Sequence, residues 1–164
     1  MELRTALRAA FAGRYSIRGG RIQTAAGYQN VTPDVAVVHR NAATGALTYP
    51  VLAEVGGSQK RTALLRRADL LLNTVPGAQV VVLIKVHDDA TNECGRLYAW
   101  CVTRAAGGGL TQTAAVEFGC TGAGGAVLVA WAVGAAVPTL NVPAHNGVPT
   151  TPVNLDNTHS PTGR

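Results

Sequence analysis

The chain has 164 residues, 47% of them hydrophobic and 14% charged, which suits one domain with a real core and excludes both a disordered chain and two comfortable domains. Fourteen Lys and Arg against nine Asp and Glu give a formal net charge of +5. Basicity that modest, yet so little opposed, fits a polyanionic partner without requiring one.

The N-terminal stretch Met1-Glu2-Leu3-Arg4-Thr5-Ala6-Leu7-Arg8 begins a charged amphipathic helix, not the apolar segment of a signal peptide. Leu3, Leu7, Ala10 and Phe11 recur at helical spacing and Gly13 stops the helix, with Arg4, Arg8 and Arg14 off the apolar set. Residues 16–22 read as a first strand and 27–30 as a loop. Asp34 then follows Pro33 at the start of an apolar run, Val35-Ala36-Val37-Val38. Glu54 closes a second run, Tyr49-Pro50-Val51-Leu52-Ala53. The turn formers Asn41-Ala42-Ala43-Thr44-Gly45 lie between the runs, so the pair reads as a β-hairpin.

A turn near Thr44 sets residues whose numbers sum to about 88 opposite one another, and Asp34 and Glu54 satisfy that sum. Cross-strand neighbours lie roughly 4.5–5.5 Å apart at Cβ. Two carboxylates that close repel unless one is protonated or a cation lies between them. A hard divalent ion such as Mg²⁺ resolves the conflict with oxygen ligands. The competing reading is that both acids mark where strands meet water, and a slip of one residue turns one of them to the other face.

Gly56-Gly57 breaks the second strand and Ser58 is an apt N-cap for a helix from Gln59 to about Asn73. Leu64, Leu65, Ala68, Leu71 and Leu72 fall on one face of that helix, with Arg61, Arg66, Arg67 and Asp69 mostly on the other. Val75-Pro76-Gly77 ends it. The run Val80-Val81-Val82-Leu83-Ile84-Lys85-Val86 reads as a strand buried on both faces, so strand, helix and strand form a right-handed parallel crossover. A polar loop follows over residues 87–93, then strands over 96–104 and 111–118.

Cys94, Cys101 and Cys120 make no Cys-x-x-Cys pair, and their odd number speaks against a disulfide framework. They read as reduced, mostly small core residues of an intracellular protein. Residues 119–125 are glycine-rich, and 126–137 are apolar and fit either a helix or a strand. That run is far short of the roughly 20 residues of a membrane span, so a soluble protein with no membrane partner is expected. Residues 1–137 are thus read as one domain and 138–164, patternless in Pro, Thr, Asn and Gly, as a flexible tail.

This succession resembles the restriction-endonuclease-like fold of the PD-(D/E)XK nuclease superfamily. Pro33-Asp34 matches the first motif, and Glu54-Val55-Gly56 sits where the second belongs. More narrowly, Val51-Leu52-Ala53-Glu54-Val55-Gly56-Gly57-Ser58-Gln59 with the helix and strand after it is similar to a divergent branch with a like Glu-Val-Gly and Ser-Gln arrangement. The resemblance spans about residues 1–118 in element order. It implies an α/β chain with an αβββαβ core, a central mixed sheet flanked by helices, and extra C-terminal strands.

It also implies a Mg²⁺- or Mn²⁺-dependent endonuclease acting on DNA, with Asp34, Glu54 and the Val55 carbonyl as metal ligands. A homodimer is compatible, since cutting both strands needs two sites. In that superfamily a lysine two residues after the Glu helps activate water, but here Gly56 occupies the place. Lys60 and Gln59 are the candidate substitutes, and Glu2 is where some relatives place a further acid. Arg61, Arg66 and Arg67 are candidate phosphate contacts.

Each assignment has a plainer counterpart. Lys60 reads more readily as a solvated helix residue, Gln59 also as a cap, and the arginines equally as a solvated face. Lys85 packs its stem and sends its head to water, residues 87–89 form a polar loop, and Trp100 and Trp131 are core. No Gly-Lys-Ser/Thr follows the glycines and no Gly-x-Ser-x-Gly surrounds Ser58, which sets aside a phosphate-binding loop and a serine hydrolase. The alternative to an enzyme is a catalytically degenerate copy of the fold that binds nucleic acid or protein.

Overall fold

The computed structural model describes residues 7, 10, 16–18, 31–57, 59–87, 96–119, 139–144 and 148–155. Their elements are β1 (Ser16–Arg18), β2 (Val35–Arg40), β3 (Leu47–Gly56), α1 (Arg61–Thr74), β4 (Val80–His87), β5 (Arg96–Arg104), β6 (Leu110–Gly119), β7 (Thr139–Val142) and β8 (Thr151–Asn154). Leu7 and Ala10 are helical.

β1 to β6 form one sheet in sequence order, and β7 pairs with β8 in a second. The larger sheet is mixed. β3 and β4, joined through α1, run parallel, while β1–β2, β2–β3, β4–β5 and β5–β6 run antiparallel. The expected α/β architecture with a mixed central sheet is therefore present, with one helical element delimited among the described residues.

The hairpin register follows the sequence. Val35 faces Ala53, Ala36 faces Leu52 and Val37 faces Val51, each pair summing to 88. At the turn, Asn41 Oδ1 accepts from the backbone N–H groups of Ala43 and Thr44 at 2.9 and 3.1 Å, and Gly45 adopts φ +72°, which suits glycine. Beyond Val37 the register shifts: His39 faces Thr48, so Tyr49 and Pro50 together oppose Val38 in a bulge. The bulge turns this stretch toward the chain entering β4. Tyr49 N–H donates to the Pro76 carbonyl at 3.0 Å and Gln79 N–H to the Pro50 carbonyl at 3.1 Å.

α1 begins at Arg61, two residues later than the sequence predicts, with Lys60 as its N-cap and no side-chain cap bond. Its good helix formers put Leu64, Ala68, Leu71 and Leu72 on the buried face. These join Ala36, Leu52, Val81, Leu83, Trp100 and Val102 to fill one face of the sheet. On the opposite face, Val35, Val37, Val51, Ala53, Val80, Val82, Ile84, Ala99 and Cys101 pack with Leu7 and with Leu140, Val142, Val153 and Leu155.

That second layer corrects the reading of 138–164 as patternless. Alternate residues of β7 are buried, in the order exposed, buried, exposed, buried, and they help close the core. Four-residue strands rich in Thr, Asn and Pro carry too short an alternation to stand out in a sequence. β5 agrees with its expected bounds, and β6 contains those expected for it. The readings of 19–30, 88–95 and 120–138 fall outside the described residues.

Candidate functional site

Continuing the Val35–Ala53 register by one residue sets Asp34 across from Glu54. Asp34 lies just before β2 and is exposed. Its Oδ2 accepts a hydrogen bond from the Val55 N–H at 2.8 Å, closing the end of the ladder. Glu54 is 9% exposed and is in register with Leu83, on the α1 side of the sheet. There the Arg67 guanidinium meets it, Nε to Oε1 at 2.9 Å. Arg67 also donates from Nη2 to the Thr32 carbonyl at 2.7 Å.

Burial pushes the Glu54 pKa up; the Arg67 hydrogen bond and charge oppose that, and the nearby Asp34 charge adds to it. The two acids thus sense each other, as the hairpin arithmetic requires. Among the described residues, no group of three His, Cys, Asp or Glu side chains comes together. Two carboxylates with a backbone carbonyl are nonetheless a donor set for Mg²⁺, which keeps several waters and takes substrate phosphates as further ligands.

A side chain at Gly56 would have to displace Leu64. A Cβ there would lie 2.7 and 2.8 Å from the two terminal carbons of Leu64 on α1. The lysine position is therefore covered by the helix that follows it. Lys85 stands beside it instead, in register with Gly56 on the neighbouring parallel strand. Residues paired across a ladder share a face, so Lys85 is on the Glu54 side, one pleat repeat along. Its Nζ donates to the Gly57 carbonyl, and to the Val86 carbonyl at 2.9 Å.

The other predicted residues separate. Gln59 is exposed two residues before the helix, and Lys60 is the helix N-cap. The three arginines do not form one basic face. Arg66 is exposed, Arg67 is turned in to Glu54, and Arg61 lies over the Trp100 ring, 5.6 Å from its centroid, while donating to Gln112 Oε1. The Val55 side chain points to solvent, 41% exposed. Glu2 and Ser58 lie outside the described residues.

Sequence reading missed two features. The placement of Lys85 follows only once the parallel register of β3 and β4 is fixed; counting from Glu54 opposite Leu83 then delivers it. The second feature is a cleft of about 570 Å³ beside the start of α1, lined by Lys60, Arg61, Lys85, Tyr98, Trp100 and Gln112 among others. Residues from four elements and a loop meet there, so no local spacing announces it. Compared with known proteins, the chain matches no family model, no curated protein and no solved structure.

Proposed function

We propose that the chain is a divalent-metal-dependent nuclease with a restriction-endonuclease-like αβββαβ core, hydrolysing DNA phosphodiester bonds. The observation that carries this reading is the grouping at one end of the sheet. Asp34 and Glu54 oppose each other, and Lys85 sits on the Glu54 face beside the blocked Gly56 position. Asp34, Glu54 and the Val55 carbonyl would hold Mg²⁺ or Mn²⁺. In an extended strand the N–H and C=O of one residue point to the same side, so the Val55 carbonyl is turned toward the Asp34 side, as its N–H is. When bound, such an ion polarises the scissile phosphate and lowers the pKa of the attacking water.

The chain's own groups supply the rest. Arg67 holds the Glu54 carboxylate in one orientation and favours its ionised form against burial. In this reading Lys85 takes the part the resemblance gives to the absent lysine, orienting the attacking water, in preference to Lys60 or Gln59. Arg66 and Lys60, both exposed, offer phosphate contacts outside the metal site. An intracellular homodimer cutting both strands fits this reading.

The second reading is a degenerate copy of the fold that binds without cleaving. The Glu54–Arg67 pair favours it, because a guanidinium already neutralises one of the acids. Calorimetric titration of Mg²⁺ and Mn²⁺ separates the two. The nuclease reading predicts binding that Asp34→Ala and Glu54→Ala each abolish. Binding unaffected by either substitution contradicts it, and no binding even with a DNA duplex present leaves the degenerate module.

A further inference from the structure

The cleft at the start of α1 has a chemical character of its own. Lys60, Arg61 and Lys85 line it, and no acid is among the described residues that line it. Arg61 and Lys85 are held in place by Gln112 and by the Gly57 and Val86 carbonyls. Lys60 is exposed at the N-cap, and its ammonium makes no ion pair among the described residues. Beneath these cations lie Tyr98, 38% exposed, and Trp100, 6% exposed.

The Trp100 indole Nε1 is buried and has no hydrogen-bond partner among the described residues. Having no exposed surface, it is out of reach of a molecule in the cleft. Two observations point to a ligand: cations lining the cleft and aromatic surface in its wall. The volume is within the usual range of roughly 300–1,000 Å³ for small-molecule sites.

We propose that this cleft binds a nucleotide, its phosphate on Lys60 and Arg61 and its base against Tyr98 and the apolar wall. Aromatic side chains accept any base by stacking, and cations beside them take the phosphate. The ligand is either a free nucleoside monophosphate or the terminal nucleotide of a strand. Neither Asp34 nor Glu54 lines the cleft, which shares Lys85 with the proposed nuclease centre but needs no metal, so binding in EDTA tests it without testing that reading.

The test is calorimetry on the full chain in EDTA with adenosine 5′-monophosphate, adenosine, inorganic phosphate and a 5′-phosphorylated oligonucleotide. The monophosphate should bind at least roughly tenfold more tightly than adenosine or phosphate alone. Lys60→Ala and Arg61→Ala should each weaken it roughly tenfold while leaving adenosine unchanged. Tyr98→Ala, which removes the stacking surface, should weaken both nucleoside ligands. Lys60 makes no side-chain cap bond, so Lys60→Ala will fold as the wild type does. A tighter oligonucleotide identifies a strand end as the natural ligand, and equal or weaker binding identifies the free nucleotide. Phosphate binding as tightly as the monophosphate, or monophosphate affinity unchanged in both Lys60→Ala and Arg61→Ala, overturns the proposal.

Discussion

Arg67 donates from Nε to Glu54 Oε1 at 2.9 Å, from a helix side chain 30% exposed to a strand carboxylate 11% exposed. The pairing answers the question posed by two acids at one hairpin end: part of the cation they demand comes from the fold itself. It also places Arg67 between α1, β3 and the Thr32 carbonyl, and not on a phosphate-binding face.

Removing that guanidinium should destabilise the protein in a pH-dependent way. Arg67→Met leaves Glu54 desolvated without its cation and Thr32 without a donor, at a cost of about 1–3 kcal/mol. The cost should be largest at neutral pH and shrink on acidification, because a protonated Glu54 no longer needs a cation. Urea unfolding at several pH values reads both the size and the trend.

The upward shift of Glu54 has a definite sign. A carboxyl whose folded pKa lies above its ordinary value near 4.5 contributes stability that is fully present below that value and is lost as pH rises through the folded one. Wild type should therefore gain stability over Glu54→Gln as pH falls through this window. Metal binding requires the ionised form, so Mg²⁺ affinity should rise with pH across the same window and release a proton on binding. Calorimetry in buffers of different ionisation enthalpy measures that proton.

Gly56 should not tolerate a side chain while Leu64 is present. Gly56→Ala forces the Leu64 tip aside and should cost about 1–3 kcal/mol. In a Leu64→Ala background the same substitution should cost under about 0.5 kcal/mol, since the obstructing atoms are gone. A double-mutant cycle by denaturant unfolding gives the coupling directly.

The β7–β8 hairpin should behave as core. Leu140, Val142, Val153 and Leu155 are each no more than 1% exposed, so Leu140→Ala should cost about 2–5 kcal/mol. A dispensable tail would instead tolerate the change with no loss in thermal or urea unfolding.

What could be read beforehand follows from the range of each interaction. The Asn41–Gly45 turn and the alternation beside it are local, so the hairpin register, and with it the opposition of Asp34 and Glu54, was legible residue by residue. The helix and the buried run over 80–86 carried their own periods. The Tyr49–Pro50 bulge was not legible, because it depends on carbonyl and amide partners at Pro76 and Gln79, far along the chain. Nor was the role of Arg67: spacing placed it among solvated arginines, and only packing of α1 on β3 shows which of the three turns inward. Lys85 and the Trp100 cleft depend on the parallel register and on the meeting of β4, β5 and β6, which no single window of sequence contains.

The most direct test of the central claim is cleavage of duplex DNA by the purified full chain with and without Mg²⁺ or Mn²⁺, beside Asp34→Asn, Glu54→Gln and Lys85→Ala. The nuclease account predicts metal-dependent cleavage that falls at least roughly 100-fold in each variant, the scale on which removing one charge-stabilising group slows such a reaction. No metal-dependent cleavage by the wild type, or cleavage that survives in Asp34→Asn and Glu54→Gln, would contradict it.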